Sequence, residues 1–230
     1  MHNKKPRAMA VLSGGLDSTV SVAYLKDKYD IKLAITFDYG QRAKDSEINA
    51  SKKICEHYGI KHQVIELPWL KEITKTALVN TKEELPEPDI TKDTTESMKA
   101  VWVPNRNGVF LNIAACYCDS YLFDYIIFGA NKEEASTFPD NSQHFVQEIN
   151  GSLNYSTLKK AKVIAPLIEL DKAQIVTLAD KIDVPFNLIM SCYTNTGTHC
   201  GHCESCKRFK NALAKAGLFH ILEEVFNKNA

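Results

Sequence analysis

A doubly wound, mostly parallel α/β sheet with a small C-terminal four-cysteine module is the fold class that this sequence predicts. Three observations carry the prediction. Short apolar runs alternate with helical patterns, the rhythm of a parallel sheet with crossover helices. A glycine-rich loop joins the first apolar run to the first helix. Four of the seven cysteines, Cys192, Cys200, Cys203 and Cys206, cluster late in the chain. Residues 1–190 are therefore read as the α/β domain, and residues 191–230 as a metal-binding module packed on the same domain.

The elements follow in order. Residues 8–12 form a short apolar run suited to a buried parallel strand. In the helix after the glycine loop, Leu16, Val20 and Tyr24 recur at i, i+4 spacing. Residues 31–37 read as a second strand. A second helix covers about residues 44–58, with Gly59 placed to cap its C-terminus. Residues 62–67 read as a third strand. The stretch from Pro68 to Pro104, punctuated by Pro86 and Pro88, breaks the rhythm. It is expected to be a long loop of the kind that serves as a lid or mobile segment. Regular structure resumes with a helix over about 108–121, a strand over 125–129, a helix over about 141–153 and a short strand over 163–166. Asp171 then caps a helix, with Gln174 completing a capping box.

Composition narrows the function. Lys plus Arg equals Asp plus Glu at 28 each, so there is no basic excess of the kind a long polyanion calls for. No nucleic-acid partner is expected. No apolar stretch approaches the roughly 20 residues of a bilayer span, and no apolar core follows the polar N-terminus. A cytoplasmic location without membrane association is expected. In a reducing compartment, clustered cysteines favour metal over disulfides. Cys116 and Cys118 sit in an apolar helical pattern and read as core residues, as does Cys55.

Ser13-Gly14-Gly15-Leu16-Asp17-Ser18, between a strand and a helix, is a ready anion site. The glycines let the backbone approach a ligand, loop and helix amides point into one space, and Ser13, Ser18 and Thr19 add hydroxyls. The loop lacks the Gly-Lys-Ser/Thr ending that supports γ-phosphate transfer in Walker loops. The segment from Leu12 to Thr19 resembles the pyrophosphate loop of the ATP pyrophosphatase superfamily, which includes GMP, asparagine and NAD synthetases and tRNA-thiolating enzymes. The resemblance implies an adenine nucleotide alpha hydrolase-like sheet, magnesium, and cleavage of ATP between the α- and β-phosphates.

Further segments narrow the choice: Phe37-Asp38-Tyr39-Gly40-Gln41-Arg42, then Val103-Pro104-Asn105-Arg106-Asn107 ahead of a helix, and the four cysteines. Together with the glycine loop they resemble the 7-cyano-7-deazaguanine synthase family over about residues 8–218. That resemblance implies an ATP-dependent carbon–nitrogen ligase of queuosine and archaeosine biosynthesis. It would take 7-carboxy-7-deazaguanine and ammonia to the nitrile through an adenylated acid and an adenylated amide. A homodimer is also implied. The run from Asn131 to Asn141 departs from the family pattern Asn-x-x-Asp-Tyr-Ser-Gly-Tyr-Pro-Asp-Cys. Asn131, Ser136, Pro139 and Asp140 match and Glu134 keeps the acid, whereas Ala135, Thr137, Phe138 and Asn141 differ.

The resemblance assigns the nucleotide site to Leu12, Ser13, Gly14, Gly15, Leu16, Asp17, Ser18, Thr19 and Phe37. It assigns the substrate site to Asp38, Gln41, Arg42, Arg106, Glu134 and Asp140, and the chemistry to Asp17, Arg106 and Lys172. Alternatives stand beside several of these. Asp17 orients magnesium or fixes the loop. Lys172, badly placed for a helix dipole, meets a phosphate or faces solvent. Arg106 grips a phosphate or the substrate carboxylate, or pairs structurally. Asp140 reads the base edge or caps the next helix.

Cys192, Cys200, Cys203 and Cys206 suit a closed tetrahedral zinc site, with an iron–sulfur cluster as the competitor. His199 and His202 are surplus to such a shell. Competing functions are tRNA thiolation, deazapurine attachment to a protein, and a non-enzymatic nucleotide- or zinc-dependent interaction module.

Overall fold

The computed structural model describes residues 4–85 and 95–226. Five strands form one sheet: β1 (Arg7–Val11), β2 (Asp30–Asp38), β3 (Lys61–Glu66), β4 (Tyr125–Ile127) and β5 (Lys162–Ile164). Their order is β3-β2-β1-β4-β5 and every pairing is parallel. The chain winds outward from β1 to β3, then crosses back to β4 on the other side of β1. That reversal is the switch point at which open α/β sheets bind ligands, beyond the carboxyl ends of the strands.

Local signals placed several elements. The helix α1 (Leu16–Leu25) follows the glycine loop, burying Leu16 and Val20 and leaving Tyr24 exposed. The helix α2 (Lys44–Tyr58) ends at Gly59, whose φ of 66° is the left-handed conformation that a C-terminal cap requires. The region 68–104 is not simply a loop. Its described part holds α3 (Pro68–Ile73) and α4 (Thr95–Val101), and its turns bury Ala77, Leu78 and Val79. Leu70, Leu78, Val79, Val101 and Val103 join the main core, so apolar burial fixes this segment despite its polar composition. Pro86 and Pro88 lie outside the described residues.

The helix α5 (Arg106–Tyr121) begins two residues before the expected start, because Asn105 enters it from a left-handed conformation. Cys118 is buried on it, and burial pushes its thiol up to about 12, as it does Cys55, which suits inert packing. Cys116 is exposed, contrary to its core reading, because it lies on the solvent side of the same helix. A short helix α6 (Lys132–Ala135) follows β4, with the Asn131 side chain accepting from the Glu134 amide. Pro139–Asn141 form a 3-10 turn before α7 (Gln143–Ser156). The α8 helix (Lys172–Lys181) carries the expected Asp171–Gln174 capping box.

Two helices close the chain, α9 (Glu204–Lys215) and α10 (Phe219–Phe226). Phe209, Leu213 and Ile221 pack with Leu16 and Val20 of α1 and with Ile175 and Val176 of α8. The four-cysteine region thus shares a core with the helix that carries the glycine loop. No helix of the described residues is long and apolar enough to cross a membrane.

Candidate active site

One cavity opens beyond β1, β2 and β4, and most of the predicted site residues meet in it. Leu12, Ser13, Gly15, Leu16, Asp17, Ser18, Phe37, Arg106, Glu134, Asp140 and Lys172 all line it. The loop geometry depends on two glycines. Gly14 has φ +76°, and a Cβ there would come within 2.7 Å of the Ala50 Cβ on α2. Gly129, just past β4, lets that strand end against α1, for a Cβ would come within 2.6 Å of the Ser18 nitrogen. Ser13 and Ser18 hydroxyls lie 3.1 Å apart, and the Ser18 hydroxyl donates to the Gly15 carbonyl. Thr19 is fully buried behind the loop and does not reach the cavity wall.

At the floor, the Lys172 ammonium is 2.5 Å from Asp17 Oδ2 and 2.7 Å from Glu134 Oε1. This explains a lysine in the first turn of a helix: two carboxylates outweigh the unfavourable dipole. Lys172 is buried, which excludes a solvent-facing role. Burial pushes its pKa down, but the two carboxylates more than reverse this and hold it above the usual lysine range. Burial raises the Asp17 carboxyl to about 6, against the opposing pull of Lys172. For Glu134 the same burial is outweighed by Lys172, and its pKa falls below the ordinary value. Asp17 Oδ1 is buried without a hydrogen-bond partner.

The cavity also carries Arg106, which donates to the Tyr39 hydroxyl at 3.3 Å and lies near Asp140 and Glu47. Asp140 does not cap α7; Ser142 does, accepting from the Phe145 amide. The Asp140 carboxyl, raised chiefly by burial, is left on the cavity wall. Trp102 and Phe138 line the same cavity with ring planes 4° from parallel.

Asp38, Gln41 and Arg42 are not brought into the cavity. Asp38 accepts from the Gly40 amide and pairs with Lys44 at 3.2 Å. Buried Gln41 donates to the Phe37 carbonyl and to Glu47, a cavity residue. Arg42 donates to the Asn80 and Glu83 carbonyls, pinning the turn after α3. This motif shapes the loop after β2, and its side chains bond to the backbone and to the Lys44 and Glu47 side chains around it.

The Sγ atoms of Cys192, Cys200, Cys203 and Cys206 all lie within 4.8 Å of one another, close enough to share one metal ion. Four sulfur donors and no carboxylate suit zinc or iron–sulfur and not a hard cation. His199 and His202 stand aside. His202 bonds to the Cys200 carbonyl, while His199 Nε2 accepts from the Ser191 amide. The Ser191 hydroxyl in turn accepts from the Leu16 amide at 3.1 Å, tying the cysteine region to the glycine loop.

Sequence reasoning missed part of this cavity. Glu47, Ser191, Tyr193, Glu204 and Arg208 also line it. Glu204 and Arg208 had one readable signal, the i, i+4 acid–base spacing directly after Cys203.

A family model described as queuosine biosynthesis protein QueC matches residues 7–217. The chain belongs to the QueC family. It is 47% identical over 220 residues to a Methanosarcina barkeri protein named 7-cyano-7-deazaguanine synthase, covering 92% of this chain and 95% of that one. A Pelotomaculum thermopropionicum protein of the same name is 48% identical over 217 residues, covering 92% and 98%. Among solved structures, an NMN synthetase from Francisella tularensis aligns at a TM-score of 0.51 and 16% identity, covering 99% of this chain and 86% of that one. A 4-thiouridine synthetase solved with RNA and ATP aligns at 0.51 and 17%, covering 97% and 54%. At such identities the likeness concerns the fold, and it agrees with the sheet that places this QueC-family cavity.

Proposed function

We propose that this chain is an ATP-dependent ligase that converts 7-carboxy-7-deazaguanine and ammonia to 7-cyano-7-deazaguanine. The observation that carries the reading is the meeting, in one cavity, of the glycine loop with Arg106 and Asp140, in a chain related along most of its length to synthases of that name. The loop and Lys172 hold the phosphates of ATP, with Arg106 and Asp140 on the substrate side.

Four steps follow. The substrate carboxylate attacks the α-phosphorus and pyrophosphate leaves. Ammonia attacks the acyl carbon, AMP departs with the C–O electron pair, and a proton is released. The amide oxygen attacks the α-phosphorus of a second ATP, with loss of pyrophosphate and an N–H proton. AMP then leaves with its oxygen as the last N–H proton goes, which forms the C≡N bond. The activated oxygen occupies the same place in both rounds, so one cradle serves both. For such chemistry the protein supplies mainly position and charge neutralisation.

The buried, unpartnered Asp17 Oδ1 fits a magnesium ligand beside the phosphates, where the ion would neutralise developing charge. The four thiolates fit a zinc ion in a closed shell, which would give it a structural role. The family resemblance supports a homodimer, which light scattering would report as twice the chain mass.

The nucleotide products test the reading. Turnover with the acid and ammonium should yield AMP and pyrophosphate in equal amounts. Stoichiometric ADP and phosphate would overturn it.

A further inference from the structure

Glu204 and Arg208 come from the first two turns of α9, yet both side chains face the cavity formed by the sheet. Glu204 is 3% exposed. Arg208 donates to one of its oxygens, Oε1, through Nε at 3.0 Å and through Nη2 at 2.9 Å. The other oxygen, Oε2, is buried and has no hydrogen-bond partner. A buried carboxylate oxygen without a donor is costly, and such orphans call for a ligand that completes them. Glu204 lines the same cavity as Glu134, Asp17 and Lys172.

From these positions we propose that Glu204, steadied by Arg208, is the residue that binds the ammonium from which the nitrile nitrogen comes. This rests on the function proposed above. The other ligands of that reaction have places elsewhere in the cavity. The phosphates and their cation belong with the glycine loop and Asp17, and the planar base belongs with Asp140 beside Trp102 and Phe138. What remains for Oε2 is a small donor. Ammonium suits a buried acceptor of negative charge, since an ionised partner on each side strengthens the bond. The two bonds from Arg208 leave the carboxylate one open acceptor and fix its direction. Glu204 is a binding and positioning group here: the bound ammonium releases one proton to solvent before its nitrogen, now ammonia, attacks the acyl carbon, and Glu204 is not the acceptor of that proton.

Initial rates with ammonium varied, at saturating ATP and acid, test the assignment in Glu204→Gln and Glu204→Asp. Glu204→Gln should raise the KM for ammonium by about 10- to 100-fold, the factor expected from losing one charge-assisted hydrogen bond. The rate ratio of the acid half, which needs ammonium, to the amide half, which does not, should fall at low ammonium and recover when ammonium is raised. Glu204→Asp keeps the charge but withdraws it by one methylene, and should shift the same KM in the same direction. An unchanged ammonium KM in either folded variant, or an equal loss in both halves that ammonium does not rescue, would overturn the inference. Wild-type protein that makes no nitrile at any ammonium concentration would instead refute the proposed function.

Discussion

Replacing Lys172 by Met is expected to lower the unfolding midpoint by about 6–20 °C and to abolish turnover. The cost follows from what the lysine leaves behind. Asp17 and Glu134 both bond to its ammonium, and Asp17 is largely buried. Removing the cation strands two carboxylates facing each other, and breaking a buried pair in this way costs about 3–5 kcal/mol. For a chain of this size each kcal/mol moves the midpoint by about 2–4 °C. Lys172→Arg should not restore full turnover, because its longer, planar guanidinium does not match a site built around a compact ammonium 2.5 and 2.7 Å from its two partners. Thermal melts paired with pyrophosphate release would measure both effects. A Met variant melting with the wild type would mean that the three groups do not form a coupled cluster.

Cys203→Ser should reduce bound zinc from about one per chain to near zero and collapse the soluble yield with it. Metal affinity in four-ligand structural sites is of order 10–16 kcal/mol, comparable to or larger than the net stability of a whole domain. The damage should not stay local. Cys203 is the N-terminal cap residue of α9, whose Phe209 and Leu213 share a core with α1 and α8. His199 and Ser191 carry the connection on to the Leu16 amide in the glycine loop. Elemental analysis and gel filtration of the variant would report the two losses together. A stable, zinc-free and fully active Cys203→Ser protein would contradict a structural metal.

Much of the sheet was legible in the sequence because its signals are local. The Gly59 cap, the Asp171–Gln174 capping box and the apolar runs of β1 and β2 each need only a few neighbouring residues to be recognised. The glycine loop was legible for the same reason. The site residues that stayed hidden are those brought in from afar. Ser191 reaches Leu16 across 175 residues, and no local pattern marks it. Gly129 appears in sequence only as the end of a strand; its close approach to Ser18 exists only once β4 lies beside β1. Asp38, Gln41 and Arg42 show the converse. Their motif placed them at the end of β2 and in the loop that follows, but whether a side chain faces a ligand or its own loop depends on partners such as Asn80 and Glu47 that the motif does not contain. The segment 68–104 misled for a related reason. Its polar composition conceals a few apolar residues, Leu70, Leu78 and Val101 among them, that the fold gathers into the core.

One site is expected to activate the two oxygens of the substrate carboxyl in turn, each in the same place. The most direct measurement supplies the synthetic amide, 7-amido-7-deazaguanine, with ATP and no ammonium, and follows products by mass spectrometry with AMP quantified. The account predicts nitrile and one AMP per molecule from the amide, against two AMP and a requirement for ammonium from the acid. An amide left untouched under conditions where the acid is converted would contradict repeated adenylation in a single site.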